Sequence, residues 1–179
     1  MCKTWSLTTG ADTTLVGGVG DDSYIATIGT DGLTANGTTL NAGDVLNGGS
    51  GTDTLSISIS GTNTGAGVTT SAITLSNIEN ISVSNYQTDD ARDNTINLAQ
   101  ATGVSKISLT SSASTGDTFF TQVRGIVTAE MGNGAGDLGI TYTDTAVAGA
   151  ADSQTLTLSG QTAGSFYVKG ATTGGVETL

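Results

Sequence analysis

The sequence predicts an all-β chain wound as a right-handed parallel β-solenoid, or β-helix. Three observations carry that expectation. Short β-branched runs such as LSISIS and ITLSNIENISVS recur along the chain, and apolar residues alternating with polar ones mark half-buried strands. Turn chemistry is abundant, with 27 glycines and no proline, while helix signals are nearly absent. Finally, whole phrases repeat, which is how a chain of stacked coils is written.

The repeats open the chain. VGGVGDDSY, from Val16 to Tyr24, is matched by NGGSGTDTL, from Asn47 to Leu55. Both satisfy the nonapeptide G-G-x-G-x-D-x-U-x, where U is a large apolar residue. The first copy supplies Gly17, Gly18, Gly20, Asp22 and Tyr24; the second supplies Gly48, Gly49, Gly51, Asp53 and Leu55. In such a unit the glycines are expected to form a turn with φ > 0 that aims backbone carbonyls at an ion. The aspartate adds the hard anionic oxygen that Ca²⁺ prefers. The U residue starts a strand and points into the core.

Each copy has a degenerate forerunner nine residues upstream. In TLNAGDVLN, Asp44 and Leu46 keep the register of Asp53 and Leu55, and Leu15 takes the U position of TTGADTTLV. A calcium ion shared between successive turns is therefore expected to draw oxygens from Asp44 and Asp53, and from Asp22 with Asp12 or Asp21. The backbone at Gly18, Gly20, Gly49 and Gly51 completes the predicted ligand set. Two ligating turns are few, so millimolar-class affinity is expected, as in extracellular modules.

Strands follow at regular intervals. Leu55, Ile57 and Ile59 alternate with Ser56, Ser58 and Ser60, and the pattern recurs at Ile73/Leu75, Ile81/Val83 and Ile96/Leu98. It continues at Ile107/Leu109, Ile140/Tyr142, Leu156/Leu158 and Phe166/Val168. LAQATG, from Leu98 to Gly103, has the chain's one helical flavour, enough for a turn or two. These strands admit an antiparallel sandwich or a solenoid. The phrase shared by LSNIENISVS, TGVSKISLT and TGGVETL, a turn followed by a strand-starting apolar residue, favours the solenoid. The last phrase stops after one strand residue, so the chain is expected to be a piece cut mid-repeat. TGDTFF with Asp117 and GNGAGDLGI with Asp137 lack the double glycine and read as turns before ion sites. The run TDDARD, with Asp89, Asp90 and Asp93 beside Arg92, reads as a solvated loop with an extra ion as the alternative.

Composition bounds the function. Hydrophobic residues make up 36% and aromatic residues 4%, which can fill a thin core but not a thick one. Acidic residues number 16 against 5 basic ones, a net charge of −11. That surface repels nucleic-acid phosphates and anionic headgroups and suits divalent cations where carboxylates gather. There is no histidine, and Cys2 is the lone cysteine. A His-dependent triad, a Cys/His zinc site and an intrachain disulfide are thereby excluded within these residues. Cys2 reads as a frayed-end residue, with an intermolecular cross-link as the alternative. No stretch has the roughly 18 apolar residues of a membrane span. MCKTWSLTTGADTT carries no apolar segment of a secretory signal, so an export address is expected elsewhere, beyond Leu179.

The order SLTTGADT, GGVGDDSY, LNAGDVLNGGSGTDTLSIS and LSNIENISVSN resembles the RTX-type segments of bacterial surface-layer proteins of the Caulobacter kind. The likeness covers about the first 85 residues, and the remainder by composition and rhythm. It implies an RTX-like β-roll segment over residues 1–60 and a continuing Thr/Ser/Gly-rich solenoid over 61–179. It also implies calcium ligands at Asp22, Asp44 and Asp53, type I secretion, and self-assembly outside the cell. Expected partners are copies of the same chain in a lattice or filament, with outer-membrane glycan or lipopolysaccharide as a further one. The leading expectation is thus a non-enzymatic structural subunit of the bacterial cell surface. The alternatives are a secreted adhesin that binds carbohydrate or a host surface, an ice-binding threonine array, and a polysaccharide-cleaving enzyme working with carboxylates alone.

Overall fold

The structure, a computed structural model, describes residues 1–29, 37–61, 68–88, 93–172 and 175–179. Asp89, Asp90 and Arg92 of the acidic run lie outside the described residues. Every strand pairing within the sheets is parallel. Among the described residues there is no α-helix, and so none long and apolar enough to cross a membrane.

Strands alternate between two walls. One wall is a seven-stranded sheet of β1 (Thr4–Ser6), β3 (Ser23–Gly29), β5 (Thr54–Ser60), β7 (Asn80–Asn85), β9 (Lys106–Ser112), β11 (Thr128–Asn133) and β13 (Leu156–Leu158), in that order. The other wall begins as a three-stranded sheet of β2 (Leu15–Val19), β4 (Val45–Ser50) and β6 (Thr74–Ser76). It continues as a four-stranded sheet of β8 (Asn94–Asn97), β10 (Thr118–Val123), β12 (Leu138–Tyr142) and β14 (Phe166–Gly170). Isolated parallel bridges, Thr69 to Thr95 and Leu75 to Ala101, join the two sheets of this wall. A chain that visits the walls in turn and always pairs in parallel with its previous visit is coiling. These parallel sheets are compatible with the solenoid and not with the antiparallel sandwich.

The core is built as columns. Period-2 alternation turns one set of side chains inward on every strand, and parallel register stacks like on like. Trp5, Tyr24, Leu55, Ile81, Ile107, Ala129 and Leu156 form one column down the long sheet. Ala26, Ile57, Val83, Leu109 and Met131 form the next, and all five are buried. Leu15, Leu46 and Leu75 answer from the opposite wall. Each fully buried Leu or Ile contributes about 1.5–3 kcal/mol, so even a slender interior is stabilised once per coil.

Two sequence expectations are refined. LAQATG forms a single turn, closed by the Ala101 amide on the Leu98 carbonyl at 3.0 Å. The double glycines are not turns: Gly17 and Gly18 lie inside β2, and Gly48 and Gly49 inside β4. The left-handed backbone region is reached later in each motif, at Gly20 (φ 102°) and Gly51 (φ 141°), and within β4 at Gly49 (φ 97°).

Candidate metal centre

The two nonapeptides stack on one another in register. Leu15 faces Leu46, Val16 faces Asn47, Gly18 faces Gly49, and Tyr24 faces Leu55. Glycine at Gly17 and Gly48 is imposed by this stacking. A β-carbon on Gly17 would lie 1.9 Å from the Gly48 carbonyl oxygen and 2.4 Å from Asp22 Oδ2. On Gly48 it would meet the Asn77 carbonyl oxygen at 1.8 Å and Asp53 Oδ2 at 2.2 Å. Only hydrogen fits, and the coils close over two oxygens at each of these positions.

The corner that leads into the long sheet carries a column of carboxylates. Asp22 Oδ1 accepts the Lys3 amide, Asp53 Oδ1 accepts the Asp22 amide at 2.6 Å, and Glu79 Oε2 accepts the Asp53 amide at 2.8 Å. Each acid therefore caps the backbone of the coil before it. The carbonyls of the same residues receive amides from the following coil, Thr54 on Asp22 at 2.9 Å and Asn80 on Asp53 at 3.0 Å. Asp22 and Asp53 are buried, at 2% and 0% exposure. Their second oxygens, Oδ2, are buried with no hydrogen-bond partner, a state that costs roughly 1–3 kcal/mol or more for a charged group.

Burial pushes the Asp53 carboxyl up from its ordinary value; the Asp22 amide opposes this, and the neighbouring charges of Glu79, Asp22 and Asp21 reinforce it. Beneath the acids lies Tyr24, fully buried, with its hydroxyl donating to the Asn47 carbonyl at 2.7 Å. Burial, then the charges of Asp22 and Asp53, push its phenol up to about 12. Above them Lys3 occupies the same column position, and its ammonium donates to the Gly17 carbonyl at 2.7 Å.

The other predicted ligands are placed differently. Asp12 and Asp44 meet at the opposite corner, where Asp44 Oδ1 accepts the Asp12 amide at 2.9 Å and Oδ2 accepts the Asn41 amide at 2.6 Å. Asp12 uses both oxygens on Thr8, one on its amide and one on its hydroxyl. Burial raises the Asp44 carboxyl, against the opposing pull of those two amides. Asp21 caps the Thr52 amide at 2.8 Å on the exposed rim. The structure thus brings Asp22 to Asp53 and Asp12 to Asp44, and sets Asp44 and Asp53 at opposite ends of β4. Asp117 and Asp137 act as turn caps, accepting the Asp137 and Ser165 amides at 2.7 and 2.6 Å.

Sequence reasoning missed Glu79 and Asn77. Asn77 aligns with Gly48, one place past the Asn47–Ser76 pair, and holds the left-handed backbone at φ 50° that asparagine tolerates. Glu79 continues the acid column. The signal was an acid two residues before a strand-starting apolar residue, repeated in Asp22-Ser-Tyr24, Asp53-Thr-Leu55 and Glu79-Asn-Ile81.

The donor set suits a hard cation. Beside Gly17 stand Asp22 Oδ2 and the Gly48 carbonyl; beside Gly48 stand Asp53 Oδ2 and the Asn77 carbonyl. All are oxygens, and the two carboxylate oxygens lack partners. Among the described residues no three acidic or cysteine side chains converge on one point, so carbonyls and water would complete any shell.

No family model matches this chain, and no curated protein and no solved structure matches it.

Proposed function

We propose that this chain is a calcium-stabilised structural segment of a secreted bacterial surface-layer or surface-filament protein, coiled right-handedly and self-assembling outside the cell. The observation that carries the reading is the stacked pair of nonapeptides with one buried, unpartnered carboxylate oxygen in each. Right-handedness follows from the strong rule for connections between parallel strands of one sheet. Asp22 and Asp53, with the Gly48 and Asn77 carbonyls, are the favoured ligands. Asp12 and Asp44, whose oxygens are engaged by amides or a hydroxyl, and Asp21, which caps the Thr52 amide, serve the turns. Bound calcium would supply the positive charge that offsets two buried carboxylates.

The working principle is linkage. In a calcium-poor cytoplasm the acid column of Asp22, Asp53 and Glu79 opposes folding and keeps the chain loose for export. In a calcium-rich exterior the folded corner binds and the unfolded chain does not. At tenfold saturation this favours the fold by about 1.4 kcal/mol. The surface role rests on the resemblance of the first 85 or so residues, on the acidic charge, and on a coil architecture that extends by adding rungs.

The test compares thermal melts by circular dichroism in EGTA and in millimolar calcium. Calcium should raise the melting temperature of the wild type, and Asp53→Ala should shrink that rise far more than Asp137→Ala. Identical melts with and without calcium reject the reading.

A further inference from the structure

On the outer face of the four-stranded sheet lies a trough of about 830 Å³. Its middle row comes from one register line: Thr95, Phe119, Gly139 and Tyr167 face each other across β8, β10, β12 and β14. The Phe119 and Tyr167 rings stack across the glycine, centroids 6.3 Å apart and planes 28° apart. Gly139 is what permits this, because a β-carbon there would lie 2.2 Å from Phe119 Cδ1. One rim carries the carboxylates of Asp93, Asp117 and Asp137; the other carries Thr121, Thr141 and Lys169. The Asp137 carboxylate is held in place by the Ser165 amide at 2.6 Å. Tyr167 remains half exposed, at 51%. Neither ring belongs to the buried core, which Phe120 of β10 and Ile140 of β12 fill from the other face of the sheet.

From this arrangement we infer that the trough binds a neutral oligosaccharide. A pyranose ring presents a flat C–H face and a rim of hydroxyls. The face stacks on a flat aromatic strip, and the hydroxyls donate to carboxylates in charge-assisted hydrogen bonds and exchange bonds with threonine hydroxyls. The three carboxylates repel uronates, sialates and phosphorylated sugars, which leaves the neutral class. Lys169 on the opposite rim repels the basic side chains that would let a cationic peptide use the same acids. Four strands at ~4.8 Å spacing span about 14 Å, room for a run of roughly three rings lying along the coil axis. None of these residues belongs to the acid column of Asp22, Asp53 and Glu79, so the inference stands apart from the calcium reading.

Isothermal titration of the full chain with cellohexaose, xylohexaose, mannohexaose and maltohexaose tests it, with hexagalacturonate and decalysine as competing probes. At least one neutral hexaose should bind in millimolar calcium, where the sheet is folded whether or not the ion stabilises it. Tyr167→Ala and Phe119→Ala should each weaken that binding by about three- to tenfold. Tyr86→Ala, which removes an equally exposed tyrosine at 53% on another face, should leave it unchanged. Because Phe119 covers Gly139, the Tyr167 variant is the one to rely on if the other melts early. Failure of all four neutral hexaoses to bind overturns the proposal. So does binding that is indifferent to Tyr167→Ala, or preferential uptake of decalysine or hexagalacturonate that Tyr167→Ala weakens.

Discussion

Tyr24 shows what a single position must reconcile. It fills the U slot of the first nonapeptide, stacks on Leu55 in the core, and still has a hydroxyl to satisfy, which it does on the Asn47 carbonyl. Its phenol is pushed up to about 12 by burial and by the charges of Asp22 and Asp53. The folded state therefore keeps the proton that the unfolded chain gives up near 10. A raised value of this kind leaves stability intact below about pH 10 and removes it as the pH climbs toward 12. At about 1.4 kcal/mol per unit, the two-unit gap removes roughly 2–3 kcal/mol by the top of that window. Tyr24→Phe should lose about 1 kcal/mol at neutral pH with its hydrogen bond, yet fall less steeply than the wild type between pH 10 and 12. Urea unfolding at a series of alkaline pH values measures both. Parallel slopes for the two proteins would mean that Tyr24 ionises as freely in the fold as outside it.

At the scale of the element, the strands that were legible are those with β-branched alternation. LSISIS became β5, ISVS lies in β7, and ISLTSS lies in β9. β2 (LVGGV), β4 (VLNGGS) and β11 (TAEMGN) were not. Glycine in a strand lowers its intrinsic preference, and nothing local reveals that a neighbouring coil will press against it. The candidate site was half legible for the same reason. Its aspartates announced themselves through the motif, but the pairing of Asp22 with Asp53 depends on which coil lies next to which. That is set by loop lengths, with the two acids 31 residues apart and the next step to Glu79 26 residues long. The glycines of β4 make the point testable. Gly48→Ala drives a methyl into the Asn77 carbonyl and the Asp53 carboxylate, neither of which can withdraw without breaking the ladder. It should cost ~2 kcal/mol or more. Gly125→Ala, where nothing lies within 4 Å of the new carbon, should stay within about 0.5 kcal/mol of the wild type. Equal midpoints for the two variants in urea would show that β4 and the segment after β6 that carries Asn77 do not approach this closely.

Over the whole molecule the governing tension is between repeated backbone ladders and repeated charge. Parallel coils satisfy amides once per rung and need little apolar mass, which is how a chain with 36% hydrophobic residues folds at all. The same stacking gathers the acids. A net charge of −11 is spread over a slender body, and Asp22, Asp53 and Glu79 recur in one line because the coils recur. Self-repulsion of this sort weakens as salt shortens the screening length, from roughly 30 Å at 0.01 M to 10 Å at 0.1 M. In EGTA the melting temperature should therefore rise as sodium chloride is raised across that range. With millimolar calcium present the rise should flatten or reverse, since the ion already offsets the acids at its corner and added salt screens that attraction too. Scanning calorimetry over the two salt series separates the cases. A melting temperature that falls with sodium chloride in EGTA would mean that attractive pairs, not the excess of acids, dominate the electrostatics of the coil. The acid column would then be no obstacle to folding for calcium to remove.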